Sequence, residues 1–155
     1  GSFEGFCSGG GIADLGRRRA REALDQGNPP LFCQREEELA DVSAKSIAEA
    51  MEQGDLLAAE IFDTVGEFLG RGLSLLIDIL NPERIVIGSI YARQKEALEK
   101  RMMEVIEEEA LKASAGVCRI LPASLGEQIG DYAAVSVGIK AYEELYSNGT
   151  DFCVM

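Results

Sequence analysis

Leu69-Gly70-Arg71-Gly72-Leu73-Ser74-Leu75-Leu76-Ile77-Asp78-Ile79-Leu80-Asn81-Pro82-Glu83-Arg84-Ile85-Val86-Ile87-Gly88 is an apolar helix that runs straight into a strand. The block from Leu73 to Leu80 is apolar nearly all round, which predicts a helix covered on most sides. From Gly72 to Leu80 the run is too short to cross a bilayer, and it carries Asp78. Asn81-Pro82-Glu83 ends it, and the β-branched Arg84–Gly88 then reads as a buried strand.

Downstream, Leu98, Met102, Val105, Ile106 and Ala110 recur at helical spacing and predict a helix from about Arg93 to Ala113. Cys118 to Ala123 is a second strand. A last helix, from about Gly130 to Ser147, is expected to bury Ala133, Ala134, Val137, Ala141 and Leu145. A strand, a helix and a strand in that order suit a parallel crossover, so the fold class is α/β. Two strands are too few to bury two long helices, and the small parallel sheet is expected to lack its amino-terminal strands. Residues 1–147 form the expected lobe, and residues 148–155 a tail without clear signal.

Upstream, Gly54-Asp55 reads as a break followed by a cap, and the long helix is expected to start after it, with Leu56, Ala59, Phe62 and Phe68 among its buried positions. Gly66, Gly70 and Gly72 lie inside it at a cost of about 0.5–1 kcal/mol each relative to alanine. Either another helix packs closely there or a ligand needs the space. Ser43 can cap a short helix through Gln53, and Leu31 to Asp41 reads as a surface connection. Ile12 to Gln26 is a helix with Ile12, Leu15, Ala20 and Leu24 as its apolar stripe. The glycine-rich start, Gly1 to Gly11, contains no GxGxxG or Walker pattern, and Gly10 and Gly11 read as structural.

Composition narrows the chemistry. The 155 residues carry a formal net charge of -12 and no histidine, with 46% hydrophobic and 27% charged residues. Such a chain repels phosphate backbones and anionic lipid, so neither nucleic acid nor membrane is an expected partner. Without histidine there is no Ser-His-Asp triad, no Cys-His pair and no histidine metal ligand. The four cysteines, Cys7, Cys33, Cys118 and Cys153, are widely spaced, as reduced thiols of a cytoplasmic protein would be.

Three segments together resemble the end of the ROK family, the sugar kinases and sugar-responsive repressors of the actin/hexokinase-like superfamily. Gly1-Ser2-Phe3-Glu4-Gly5-Phe6-Cys7-Ser8-Gly9 resembles the family's Gly-Cys-x-Glu-x-x-x-Ser-Gly. Leu69-Gly70-Arg71-Gly72-Leu73, then Leu80-Asn81-Pro82-Glu83 and a glycine-ended strand, resembles its Leu-Gly-x-Gly-Leu and Leu-Asn-Pro-Glu. Leu125-Gly126-Glu127, with Gly130 and Ala133-Ala134, is similar to its closing Leu-Gly-Asp and small-residue helix. Chance matches to independent motifs multiply, so the ordered set says more than any one.

The resemblance implies a partial actin-like ATPase (ribonuclease H-like) lobe, rich in helix. It implies that Glu4 contacts sugar hydroxyls, because a carboxylate accepts from adjacent O–H groups through charge-assisted bonds. It implies that adenosine lies against the glycine pair at the strand end, here Gly88 and Ser89, since bare backbone lets a nucleoside lie flat. Gly126 and Glu127 are read as packing or domain-edge residues. Ser2 stands where the family has its last zinc cysteine, so this is either a member without zinc or a chain whose Gly1-Ser2 is a cloning remnant; zinc is not expected here. The Asp-x-Gly-Gly-Thr phosphate loop and the Asn-Asp pair that carries the family's catalytic aspartate are not in these residues. No catalytic residue is therefore assigned, and the chain is expected to be inactive alone. In the complete protein ATP and Mg²⁺ would serve a hexose or N-acetylhexosamine kinase. The other reading is the effector-binding, dimerising part of a ROK-type repressor. The apolar helix and uncovered sheet edge predict a homodimer.

Overall fold

The computed structural model describes residues 2–147; the side chains of Glu127 and Leu145 and the tail 148–155 lie outside what it describes. The described residues fall into two compact units with the boundary after Pro122, inside the lobe expected over residues 1–147.

In the first unit Ser2 caps α1 (Phe3–Cys7) by accepting on Oγ from the Gly5 N–H at 3.1 Å. Ser8 does the same for α2 (Gly9–Asp25), accepting from the Gly11 N–H at 3.0 Å. The glycine-rich start is thus two capped helices, and α2 begins three residues earlier than its apolar stripe suggests. Ile12 and Ala20 are buried, as expected of that stripe. The connection after α2 contains a 3-10 turn, Glu36–Asp41. A Ser43–Ser46 capping box then opens α3 (Ala44–Glu52).

Asp55 caps α4 (Leu56–Leu80), whose 25 residues form the spine of the unit. Its buried stripe is Ala58, Ile61, Phe62, Val65, Leu69, Leu73 and Ile77. Leu56, at 80% exposure, and Ala59 point away from the core, which corrects the face expected in the first half of the helix. The second half departs as well. Leu75, Leu76, Ile79 and Leu80 stand exposed, because the described residues cover only the Leu73–Ile77 side.

Asn81 ends α4 in the left-handed conformation at φ 45°, returning its N–H to the Ile77 carbonyl at 2.9 Å. Pro82 cannot continue a helix, so the Asn-Pro pair aims the chain into β1 (Arg84–Ile87). There follow α5 (Ile90–Arg93), α6 (Lys95–Glu109), α7 (Lys112–Ala115) and β2 (Arg119–Pro122). The single helix expected over Arg93–Ala113 is thus broken into pieces. β1 and β2 pair in parallel, with Arg84 opposite Arg119 and Ile87 opposite Pro122.

The principal helix contact is α4 against α6, and the internal glycines explain it. A Cβ at Gly70 would lie 2.7 Å from the Met102 carbonyl oxygen and 2.7 Å from the Val105 Cβ. At Gly66 it would lie 3.2 Å from the Leu98 carbonyl oxygen. Close packing, not ligand space, accounts for both positions. Arg101 lies 3.8 Å from Glu67 and 3.9 Å from Asp63, and Arg71 reaches Glu67 at 2.7 Å and Glu109 at 3.3 Å along the same seam.

The second unit contains a 3-10 turn, Gly126–Gln128, and α8 (Ile129–Ser147). Ala133, Ala134, Val137 and Ala141, expected to be buried, are exposed. Among the described residues of this unit no second layer faces the helix to cover them.

Candidate functional site

Glu4 sits in the first turn of α1 with its side chain exposed; among the described residues it forms no ion pair or side-chain hydrogen bond. Its carboxylate is free to accept from a ligand. Backbone contact sets its position. A Cβ at Gly11 would collide with the carbonyl of Gly5 and reach 3.0 Å from that of Glu4, so only glycine lets α2 come this close to α1. The structural reading of Gly11 therefore stands, while Gly10 is exposed and its Cβ would meet only the Ser8 Oγ at 3.9 Å. On the other side Phe3 fills the space that a side chain at Gly72 would need. Phe6 stacks on Phe68 of α4 with ring centroids 4.0 Å apart. Three contacts with two long helices thus hold five residues of helix.

Two grooves, each of about 450 Å³, adjoin this corner and share Arg17 and Arg18. One of them begins at Gly5 and Phe6, next to Glu4. Cys7 closes α1, and burial pushes its thiol up to about 11. It is therefore protonated at neutral pH and poorly suited to nucleophilic chemistry.

Gly88 and Ser89 form the turn from the carboxyl end of β1 into α5, where ligands of open α/β sheets collect. Ser89 adopts φ 52°, ψ -119°, a conformation that suits glycine and costs a residue with a side chain on the order of 1–3 kcal/mol. Its exposed hydroxyl does not cap α5. Two residues on, Tyr91 is fully buried and its phenol has no hydrogen-bond partner among the described residues. Burial, and after it the charge of Glu99, raises that phenol above its ordinary value. Because the hydroxyl gains nothing there, Tyr91→Phe is expected to hold stability constant or raise it by up to about 1 kcal/mol. A loss larger than that in urea titration would reveal a partner for the phenol.

Glu4 and the Gly88–Ser89 turn belong to the same unit but to separate elements, and no hydrogen bond among the described residues joins them. The residues expected from sequence to serve sugar and nucleotide thus lie on separate elements of the first unit, α1 and the turn after β1. The strain at Ser89 and the orphaned phenol of Tyr91 leave no mark in composition or periodicity. Only the position of Ser89 opposite a family glycine hinted at the first. Gly126, also at positive φ (51°), opens the second unit's 3-10 turn. Among the described residues no three histidine, cysteine, aspartate or glutamate side chains gather as a metal site, and no helix is long and apolar enough to span a membrane.

The helix-rich unit with its small two-stranded parallel sheet is a fold shared with solved proteins described as a ROK regulator and a sugar kinase. The sequence pattern of the ROK family matches residues 1–138, and the chain belongs to that family. The DNA-binding transcriptional dual regulator NagC of Escherichia coli (strain K12) is 35% identical over 75 residues, 48% of this chain and 18% of NagC. A glucokinase of Thermotoga maritima is 31% identical over 94 residues, 61% of this chain and 30% of the enzyme. Among solved structures, a ROK family transcriptional regulator homologous to the E. coli MLC protein superposes with a TM-score of 0.63 at 25% identity, over 79% of this chain and 29% of that one. A Cytophaga hutchinsonii protein described as a sugar kinase superposes with a TM-score of 0.69 at 19% identity, over 82% and 40%, and shows the fold alone. The chain spans less than a third of the length of these two curated relatives.

Proposed function

We propose that this chain is the carboxy-terminal part of an ATP-dependent kinase for a hexose or N-acetylhexosamine, supplying the sugar contact of Glu4 and the nucleoside seat at Gly88–Ser89. The observation that carries the reading is the presence, within one unit, of an exposed, unpaired carboxylate on a closely docked helix and of a strand that leads into the small residues Gly88 and Ser89. Glu4 would accept from two adjacent sugar hydroxyls, and the Gly11–Gly5 contact would hold it at fixed depth. The small residues Gly88 and Ser89 at the β1 turn would let a nucleoside approach the backbone. They do not fit Mg²⁺, since no acidic cluster stands among the described residues; the ion and its ligands would belong to the rest of the complete protein. Bound there, ATP and Mg²⁺ would supply the transferable phosphoryl group and its charge neutralisation. The chain's own contribution is positioning, the larger part of such catalysis, and this portion alone would turn nothing over. The three cysteines among the described residues are free thiols, which suits a cytoplasmic setting, and the exposed apolar face of α4 suits a homodimer.

The test is Glu4→Gln in the complete protein. Loss of a charge-assisted pair of hydrogen bonds is expected to raise the sugar KM at least about tenfold, with the ATP KM unchanged. An unaltered sugar KM for glucose, N-acetylglucosamine and N-acetylmannosamine alike would remove the assignment. The NagC match supports a second reading, the effector-binding part of a repressor. That protein would bind sugar through the same Glu4 and show no phosphoryl transfer.

A further inference from the structure

Two defects lie close together in the segment that joins β1 to α6. Ser89 holds φ 52°, ψ -119°, a conformation that strains any residue with a Cβ. Tyr91 is fully buried, and its phenol has no hydrogen-bond partner among the described residues. Buried hydroxyls are nearly always bonded, and one left bare opposes the burial of the ring that carries it. Both defects disappear when α5 lets go, because Ser89 relaxes and the phenol meets water. Little backbone structure resists that step. The four residues of α5 are closed by the Gln94 N–H, which donates to the Ile90 carbonyl at 2.8 Å. Gln94 itself, at φ -120°, ψ 31°, breaks α5 from α6, and neither helix has a side-chain N-cap. What holds α5 down is the ring of Tyr91 in the core and the half-buried Ile90 beside it.

We propose that residues 88–94 are a latch with two positions: a closed one, with Tyr91 in the core, and an open one in which α5 is released while α4, α6 and the β1–β2 pair stay folded. The packed ring favours the closed position, and the strain and the bare hydroxyl both weaken that preference. The latch therefore opens at a free energy well below that of unfolding the unit. α6 keeps its own buried stripe, Leu98, Met102, Val105 and Ile106, and its packing on α4 in either position. No ligand is needed, so the latch stands apart from the sugar and nucleoside readings above.

The experiment is native-state hydrogen exchange on the complete protein without added ligand, followed amide by amide by NMR over urea concentrations too low to unfold it. The Gln94 amide is expected to exchange at least about a hundredfold faster than those of Leu69, Leu73 and Met102, at a rate that urea barely changes, as a small opening requires. Tyr91→Phe and Ser89→Gly each mend one defect of the closed position, and each should slow the Gln94 amide about fivefold. A Gln94 amide that exchanges only with the core, along the same urea slope, has no opening of its own and overturns the latch. So does a Gln94 rate that either variant leaves unchanged or raises, which is fraying of α5 without release of Tyr91.

Discussion

Replacing Gly70 with valine is expected to cost about 3 kcal/mol or more and to lower the melting temperature by on the order of 10 °C. A Cβ there would stand 2.7 Å from a backbone carbonyl oxygen and 2.7 Å from the Val105 Cβ, and neither can swing aside as the end of a long side chain would. Valine adds two more carbons to the same gap. The two helices would have to separate along a seam that also holds Phe62, Leu69, Leu98 and Met102. Gly138 provides the control. Nothing lies within 4 Å of a Cβ at that position in α8, so alanine there should gain about 0.5–1 kcal/mol from helix propensity alone. If Gly70→Val melted within a degree or two of the unaltered chain, the close approach of α4 and α6 would be refuted.

Asp55→Ala should cost about 2–3 kcal/mol, measured as a shift in urea midpoint at constant slope. This carboxylate is only 9% exposed and does two jobs. One oxygen accepts from the Ala58 N–H at 2.8 Å and caps α4, and the other accepts from the Leu31 N–H at 2.5 Å and ties down the proline-rich connection. Alanine leaves two donors unmet, one of them at the start of the longest helix. Asn keeps one good acceptor, so Asp55→Asn should lose less than half as much. Equal losses for both variants would place the effect in charge rather than in capping.

The strongest local signals were legible as elements but not as burial, since Val86 of the strand expected to be buried is exposed, like Leu75, Leu76, Ile79 and Leu80 before it. The apolar run into Asn-Pro and then a β-branched stretch is a helix, a left-handed stop and a strand, because each step follows from residue chemistry within a few positions. The capping roles of Ser43 and Asp55 were readable for the same reason. α1 was hidden. Five residues with a glycine among them have little helical tendency, and they form a helix because Ser2 and Ser8 organise the ends and Phe3 and Phe6 find Gly72 and Phe68, more than sixty positions away. The buried face of early α4 was misjudged since Leu56 and Ala59 are as apolar as Ala58 and Ile61, and only the helices packed on α4 decide between them. Of the proposed site, Glu4 and the Gly88–Ser89 turn come from the resemblance alone. The backbone angle at Ser89 and the orphaned phenol of Tyr91 are products of tertiary geometry.

α4 is about 37 Å long at 1.5 Å per residue. Phe68 and Gly72 on this rod support the short helix that bears Glu4, and its last residue hands the chain through Asn81 to the strand that ends at Gly88. Both proposed half-sites are therefore carried by one girder. In a working kinase, the jaw that shuts on sugar and nucleotide would have to be the opposing lobe, with this unit serving as the anvil.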